Sequence, residues 1–240
     1  MNDLFILIPV YQGAGTVGEV VKAALATGSA VVVVDDGSTD GSGRIAEIAG
    51  ARVLRHPVNQ GKGAALQTGF ALARSEGRRA VLTIDADGQH DPAEIPKLVE
   101  EHRRHPDALI VGVRHFDDGM PRRSQIGNRI STFWISLFAH RPHQDTQSGF
   151  RVYPASLFTD ARFRSSRFDT ETELLLRAAK LRVPLVEVPI RTIYPAEGAG
   201  THFRDFADTL RIIKLVIGSP GWRLARPNPS SAPTRPEGGG

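Results

Sequence analysis

Two aspartates separated by one residue, Asp85 and Asp87, follow the apolar run Ala80-Val81-Leu82-Thr83-Ile84 and precede Gly88-Gln89-His90. Carboxylates this close repel each other, and a hard divalent cation relieves the repulsion. One or two carboxylates together with substrate phosphates are the usual surroundings of Mg²⁺, and Mn²⁺ takes similar ligands. Such an ion acts as a Lewis acid on a departing diphosphate. Taken alone, the pair is explained equally well by a solvated turn in which Asp91 caps the next helix.

A second acidic edge, Asp35-Asp36-Gly37-Ser38-Thr39-Asp40, closes the apolar run Val31 to Val34. In parallel α/β sheets ligands bind at this carboxyl edge. A carboxylate there accepts from a uracil N3–H or from the guanine N1–H and N2–H₂ edge, and one of Asp35 and Asp36 is expected to read the base. Ser38 and Asp40 fit turn and capping chemistry. Asn59-Gln60-Gly61-Lys62-Gly63 brings close backbone approach and one ammonium to a helix start, which suits phosphate. It lacks the spacing of a Walker A loop. Further on, Arg114 and Arg151 offer forks for an acceptor phosphate, and Asp145, Asp169 and Glu171 are the carboxylates available as a general base.

These groups need a scaffold, and apolar runs of strand length alternating with helical patterns predict an α/β domain with a mainly parallel sheet. Strands are expected at 4–8, 30–34, 52–55, 79–84 and 108–113, with helices near 17–27, 43–49, 62–76 and 92–104. Thr16 with Glu19 and Asp91 with Glu94 read as capping boxes, the second with Pro92 at the first helical position. Beyond 114 the reading is a polar loop, a helix near 123–139, an irregular segment from Asp145 to Tyr153, a helix near 171–182, and short strands at 185–190 and 192–195. An amphipathic helix over 203–217 either packs on its own domain or lies on a membrane. Residues 1–218 are expected to form one domain. Residues 219–240, rich in Pro, Ser and Gly, are expected to be a disordered tail.

Composition removes several function classes. The 240 residues contain no cysteine, so thiolate metal sites and cysteine nucleophiles are excluded. No apolar stretch reaches the roughly 18 to 20 residues of a membrane span. The chain opens directly into a strand, without a secretory signal, and is expected in the cytoplasm. A net charge of +4 from 30 basic and 26 acidic residues is too slight for a nucleic-acid arm and suits phosphate ligands or an anionic lipid surface. Gly13, Gly15 and Gly18 match the dinucleotide-binding fingerprint, which makes an NAD(P)-dependent dehydrogenase a rival. Their start four residues past the strand counts against it, and so do the later polar clusters, which it leaves without a task. A non-catalytic nucleotide-sugar binding module is a further rival, opposed by the intact Asp85, Asp87 and Lys62.

Taken in order, Ile8-Pro9-Val10-Tyr11, Val34-Asp35-Asp36-Gly37-Ser38-Thr39-Asp40, Asn59-Gln60-Gly61-Lys62-Gly63-Ala64-Ala65, Asp85-Ala86-Asp87-Gly88-Gln89-His90 and Asp145-Thr146-Gln147-Ser148-Gly149-Phe150-Arg151 resemble family-2 glycosyltransferases. Within them the look is that of polyprenyl-phosphate and dolichyl-phosphate mannose and glucose synthases. The resemblance spans about residues 3 to 215. It implies a GT-A (Rossmann-like) fold, a nucleoside-diphosphate sugar donor such as GDP-mannose or a UDP-sugar, Mg²⁺ or Mn²⁺, and inversion at the anomeric carbon. It implies Asp85, Asp87 and Gln89 as metal ligands, and a nucleotide site lined by Pro9, Val10, Tyr11, Asp35, Asp36, Gly37, Gly61, Lys62 and Ala86. Arg114, Arg129 and Arg151 fall on the acceptor side. The expected acceptor is a polyprenyl phosphate, met peripherally at the inner face of the plasma membrane through the 203–217 helix or a membrane-protein partner. A hydroxyl acceptor on a glycan or small molecule is the alternative. The chain departs from the family at Gln12-Gly13, where Asn-Glu usually stands.

Overall fold

The computed structural model describes residues 3–114, 148–159, 169–191 and 193. Strand β1 (Leu4–Val10) is buried along its whole length, as an apolar run in the middle of a covered sheet must be. Its alternate side chains feed two separate cores. Leu4, Ile6, Ile8 and Val10 pack with Val17, Val20 and Val21 of α1 (Val17–Leu25), Ala46 of α2 (Ser42–Ile48), and Ile95 and Leu98 of α4 (Ile95–Arg104). Phe5 and Leu7 face the opposite layer. There they meet Leu66 and Phe70 of α3 (Lys62–Ser75), Leu157 and Phe158 of α5 (Ala155–Phe158), and Leu174 and Leu175 of α6 (Asp169–Lys180). The result is a sheet covered by helices on both faces, as the alternation predicts.

The other strands are β2 (Val31–Asp35), β3 (Arg52–Arg55), β4 (Ala80–Thr83), β5 (Leu109–Arg114), β6 (Arg151–Pro154) and β7 (Leu185–Ile190), and the sheet order is β3-β2-β1-β4-β6-β5-β7. Strands β1 to β4 pair in parallel. β6 alone runs against its neighbours β4 and β5, with Arg151 opposite both Thr83 and Val111. β5 and β7 are parallel again. Because β6 is reversed, its leading residues Ser148 to Phe150 arrive at the edge where the parallel strands end.

Elements expected from the sequence lie within two or three residues of those observed; the short helix α5 is not among those expected, and two readings are corrected. The segment Asp145 to Tyr153, read as irregular, contains β6. Its Arg151 hides a buried strand from any hydropathy reading, and the charge is tolerated because backbone carbonyls take up its guanidinium. Thr16 does not cap α1. Its hydroxyl donates instead to the Ala86 carbonyl at 2.6 Å, fastening the helix to the aspartate loop. Asp91 does act as a cap, accepting from Ala93 N at 2.9 Å ahead of a single 3₁₀ turn at Pro92–Glu94. The expected helices at 123–139 and 203–217 and the tail from 219 lie outside the described residues, as does most of the 192–195 strand.

Helix α3 approaches β1 most closely at Gly69, where an added Cβ would stand 2.5 Å from Leu7 Cδ1 and 2.9 Å from its Cγ. Leu7 is fully buried and cannot yield without disturbing its neighbours. Gly69→Ala is therefore expected to destabilise the fold by about 1 to 3 kcal/mol, outweighing the gain in helix propensity, as read from the shift of the urea unfolding midpoint.

Candidate active site

The centre of the carboxyl edge is an ionic triad. Lys62, the first residue of α3, places its ammonium 2.6 Å from Asp85 Oδ1 and 3.2 Å from Glu171 Oε1. All three groups are largely buried. Burial alone would drive the ammonium towards neutrality, but Asp85 and then Glu171 overcome it and hold Lys62 well above the ordinary lysine range. Burial likewise pushes Asp85 up, and Lys62 followed by His90 carries it well below the ordinary aspartate range. The His90 Nε2 lies 3.6 Å from Asp85 Oδ2, with its ring tilted against Phe150.

Asp85 is also shaped by a residue that carries no side chain. A Cβ on Gly149 would sit 2.7 Å from Asp85 Oδ1 and closer still to Oδ2, so the glycine is the space the carboxylate occupies. Thr83 fixes that glycine by donating to its carbonyl at 2.7 Å. Sequence reasoning gave Gly149 no role. The only available signal was its place in the Ser148-Gly149-Phe150 motif, and the contact depends on the reversal of β6.

Asp87 stands at the open end of the loop and accepts from Gln89 N at 2.9 Å. The desolvation of its loop, then the charge of Asp85, push its carboxyl above the ordinary range. Two carboxylates two residues apart, with the Gln89 amide oxygen two residues on, are oxygen donors of the kind that Mg²⁺ and Mn²⁺ take. Among the described residues no three acidic or imidazole side chains gather as a metal cluster.

The two acidic residues after β2 are both committed to backbone. Asp35 accepts from Ser38 N at 2.9 Å. Asp36, with 2% of its surface exposed, accepts from the amides of Gln60 at 3.0 Å and Gly61 at 2.7 Å and from His56 Nδ1 at 2.6 Å. Gly37 turns at φ +78°, with the Val58 and Asn59 backbone against it. The departure at Gln12-Gly13 turns out to be a fastening. Gln12, at φ +53°, accepts from Thr39 N and Asp40 N and donates to Thr39 Oγ1, while Gly13 N and Ala14 N donate to Ser42 and Asp40. Pro9 and Val10 end β1 beside them, and Tyr11 is 52% exposed at the mouth.

On the acceptor side the structure is more selective. Arg151, expected as a phosphate fork, is fully buried; it donates to the carbonyls of Ser148 at 2.7 Å and Glu171 at 3.2 Å and bonds the Tyr153 hydroxyl at 3.4 Å. It therefore braces the Ser148 turn against α6. Arg114 closes β5 and Asp169 opens α6, both by backbone position at this edge. Arg129 and Asp145 lie outside the described residues.

Residues 5–164 match glycosyl transferase family 2. The chain belongs to that family. Among the relatives of this glycosyltransferase are an undecaprenyl-phosphate mannosyltransferase of Micrococcus luteus and a UDP-N-acetylglucosamine–dolichyl-phosphate N-acetylglucosaminyltransferase of Methanococcus voltae. The first is 30% identical over 175 residues, covering 68% of this chain and 71% of the relative. The second is 28% identical over 242 residues, covering 90% and 96%. Glucosyl-3-phosphoglycerate synthase from Mycobacterium tuberculosis, solved with Mn²⁺, uridine diphosphate and glucosyl-3-phosphoglycerate, has the same fold: the TM-score is 0.72 at 18% identity, covering 90% of this chain and 80% of that one. The fold is thus of the GT-A kind, and the dinucleotide reading of Gly13, Gly15 and Gly18 is set aside.

Two outcomes follow from this geometry. Gly149→Ala is expected to displace the Asp85 carboxylate and weaken Mn²⁺ binding on the order of tenfold, measured by calorimetry with a nucleoside diphosphate present. The Asp87 carboxyl sits above its ordinary value, so a cation must displace a proton from it at pH values where a normal aspartate, near 3.9, is already ionised. Mn²⁺ affinity should fall with acidification through that higher range. Proton release on binding, read in buffers of different ionisation enthalpy, should appear there.

Proposed function

We propose that this glycosyltransferase moves a hexose from a nucleoside-diphosphate sugar, GDP-mannose or a UDP-sugar, to a polyprenyl phosphate, with inversion at the anomeric carbon. The observation that carries the reading is the charge arrangement at the carboxyl edge, where a buried ammonium opens α3 against Asp85, two residues from Asp87. A helix N-terminus with a lysine at its first position suits a diphosphate, through both its free amides and its dipole. Tyr11 is exposed just past the end of β1, available for a base to stack on, and Pro9, Val10, Gly37 and Ala86 are the other residues assigned to the nucleotide. The relatives from Micrococcus and Methanococcus support the lipid-phosphate acceptor.

Asp85, Asp87 and Gln89 would hold Mg²⁺ or Mn²⁺, and the ion when bound supplies Lewis-acid stabilisation of the leaving diphosphate. An oxygen of the acceptor phosphate attacks the anomeric carbon from the face opposite the diphosphate. The new C–O bond forms as the bond to the β-phosphate oxygen breaks, and the nucleoside diphosphate leaves with the electron pair. A phosphate monoester has its second pKa near 6, so at neutral pH it attacks without a protein base. This matches the occupation of Glu171, whose carboxylate is already paired with Lys62. Lys62 stays charged and offsets the growing negative charge on the diphosphate. A hydroxyl acceptor, the second reading, is favoured by the fold's likeness to a synthase solved with glucosyl-3-phosphoglycerate. It would require a base, and Asp145 and Asp169 are then the remaining carboxylates.

Among the described residues no helix is long and apolar enough to cross a membrane. Incubation with radiolabelled GDP-mannose or UDP-glucose, Mn²⁺ and undecaprenyl phosphate tests the proposal. Label should partition into the organic phase, and Asp87→Ala should lower that transfer on the order of 100-fold. Full Mn²⁺-stimulated transfer by Asp87→Ala would sink the metal assignment, and label confined to a water-soluble product would favour the hydroxyl acceptor.

A further inference from the structure

The Asp36 carboxylate is an anion almost sealed from solvent, and what surrounds it is backbone. Its Oδ2 accepts from Gly61 N at 2.7 Å, and its Oδ1 from Gln60 N at 3.0 Å and His56 Nδ1 at 2.6 Å. A carboxylate only accepts, so the proton of this histidine is on Nδ1, and Nε2 faces the Thr68 hydroxyl at 2.9 Å, in the second turn of α3. The histidine is also held from behind, since His56 N donates to the Asp35 carbonyl at 2.9 Å. Gly61, at φ +98°, then leads directly into Lys62. One buried charge thus fixes the two consecutive peptide groups that lead into Gly61, the residue before the lysine, while its histidine partner grips the same helix further along.

We propose that Asp36 is a positioning residue for Lys62 and does not read the nucleobase. The inference rests on the donor-site reading, in which Lys62 meets the diphosphate. Hydrogen bonds from two consecutive amides set the peptide planes of Gln60 and Gly61. Those planes set the direction in which α3 starts, and that direction carries the Lys62 ammonium to Asp85. His56 and Thr68 keep the loop and the helix from shifting relative to each other. A residue that contacted the base would need an oxygen open to solvent, whereas Asp36 is 2% exposed and both of its oxygens are turned to donors inside the protein.

A double-mutant cycle separates the two roles. Affinity for UDP and GDP with Mn²⁺ is measured by calorimetry for Asp36→Asn, Lys62→Met and the double variant, so that the readout is independent of any acceptor. Positioning through Lys62 predicts a loss on the order of tenfold or more for Asp36→Asn, and a double variant within about threefold of Lys62→Met alone. The Asp36→Asn effect should also be the same factor for UDP and GDP. His56→Gln, a milder disturbance of the same brace, should give a smaller loss that also vanishes when Lys62→Met is present; it carries the test if Asp36→Asn does not fold. Additive losses, or a change in the UDP-to-GDP ratio, overturn the inference and leave the donor site standing. Unchanged affinity in Lys62→Met overturns the donor-site reading itself.

Discussion

The site depends on one buried cation shared between two anions. Lys62, Asp85 and Glu171 come from the start of α3, the loop after β4 and the first turn of α6, and none tolerates burial alone. The attraction of one ammonium to both carboxylates ties three elements together without a covalent link. It also sets the local charge. The triad keeps an excess negative charge, one ammonium against two carboxylates, and the charge of Asp85 holds up the Asp87 carboxyl two residues on.

Around that triad the loops are joined to one another more than to their own strands. Gln12 reaches the Thr39 and Asp40 amides, Asp40 reaches Ala14, Thr16 reaches Ala86, and the carbonyl of Gln89 accepts from Ile193 N at 2.8 Å. Polar side chains that look like solvated turn residues in a linear reading are cross-loop ties in three dimensions. They pre-arrange backbone amides and carbonyls, so that a ligand meets an ordered edge and loses less in ordering it.

Much of this was legible from residue types and spacing. The strand and helix periods of the first hundred residues gave the layers, and the acidic residues at strand ends marked the correct edge of the sheet. Lys62 and Glu171 were identified as chemistry-bearing, although their contact was not. What stayed hidden depended on partners distant in the chain. Arg151 looked like a free fork because sequence does not reveal that the Ser148 and Glu171 carbonyls fold over it. Thr16 looked like a cap because the Ala86 carbonyl is seventy residues away. β6 was missed because a strand carrying a buried arginine has no hydrophobic signature.

The strand order has a consequence for how such an enzyme changes over time. β1 to β4 occupy one contiguous side of the sheet and β5 to β7 the other, so chain order and spatial order share a single boundary, the β4–β6 seam. Asp35, Asp36, Lys62, Asp85 and Asp87 lie before it, and Gly149, Arg151 and Glu171 lie after it. Thr83 with Gly149 and Lys62 with Glu171 are among the ties across the seam, beside the β4–β6 ladder and the bond from Ile193 N to the Gln89 carbonyl. The seam thus joins two contiguous halves of the chain, each free to vary in sequence as long as the ties between them are kept.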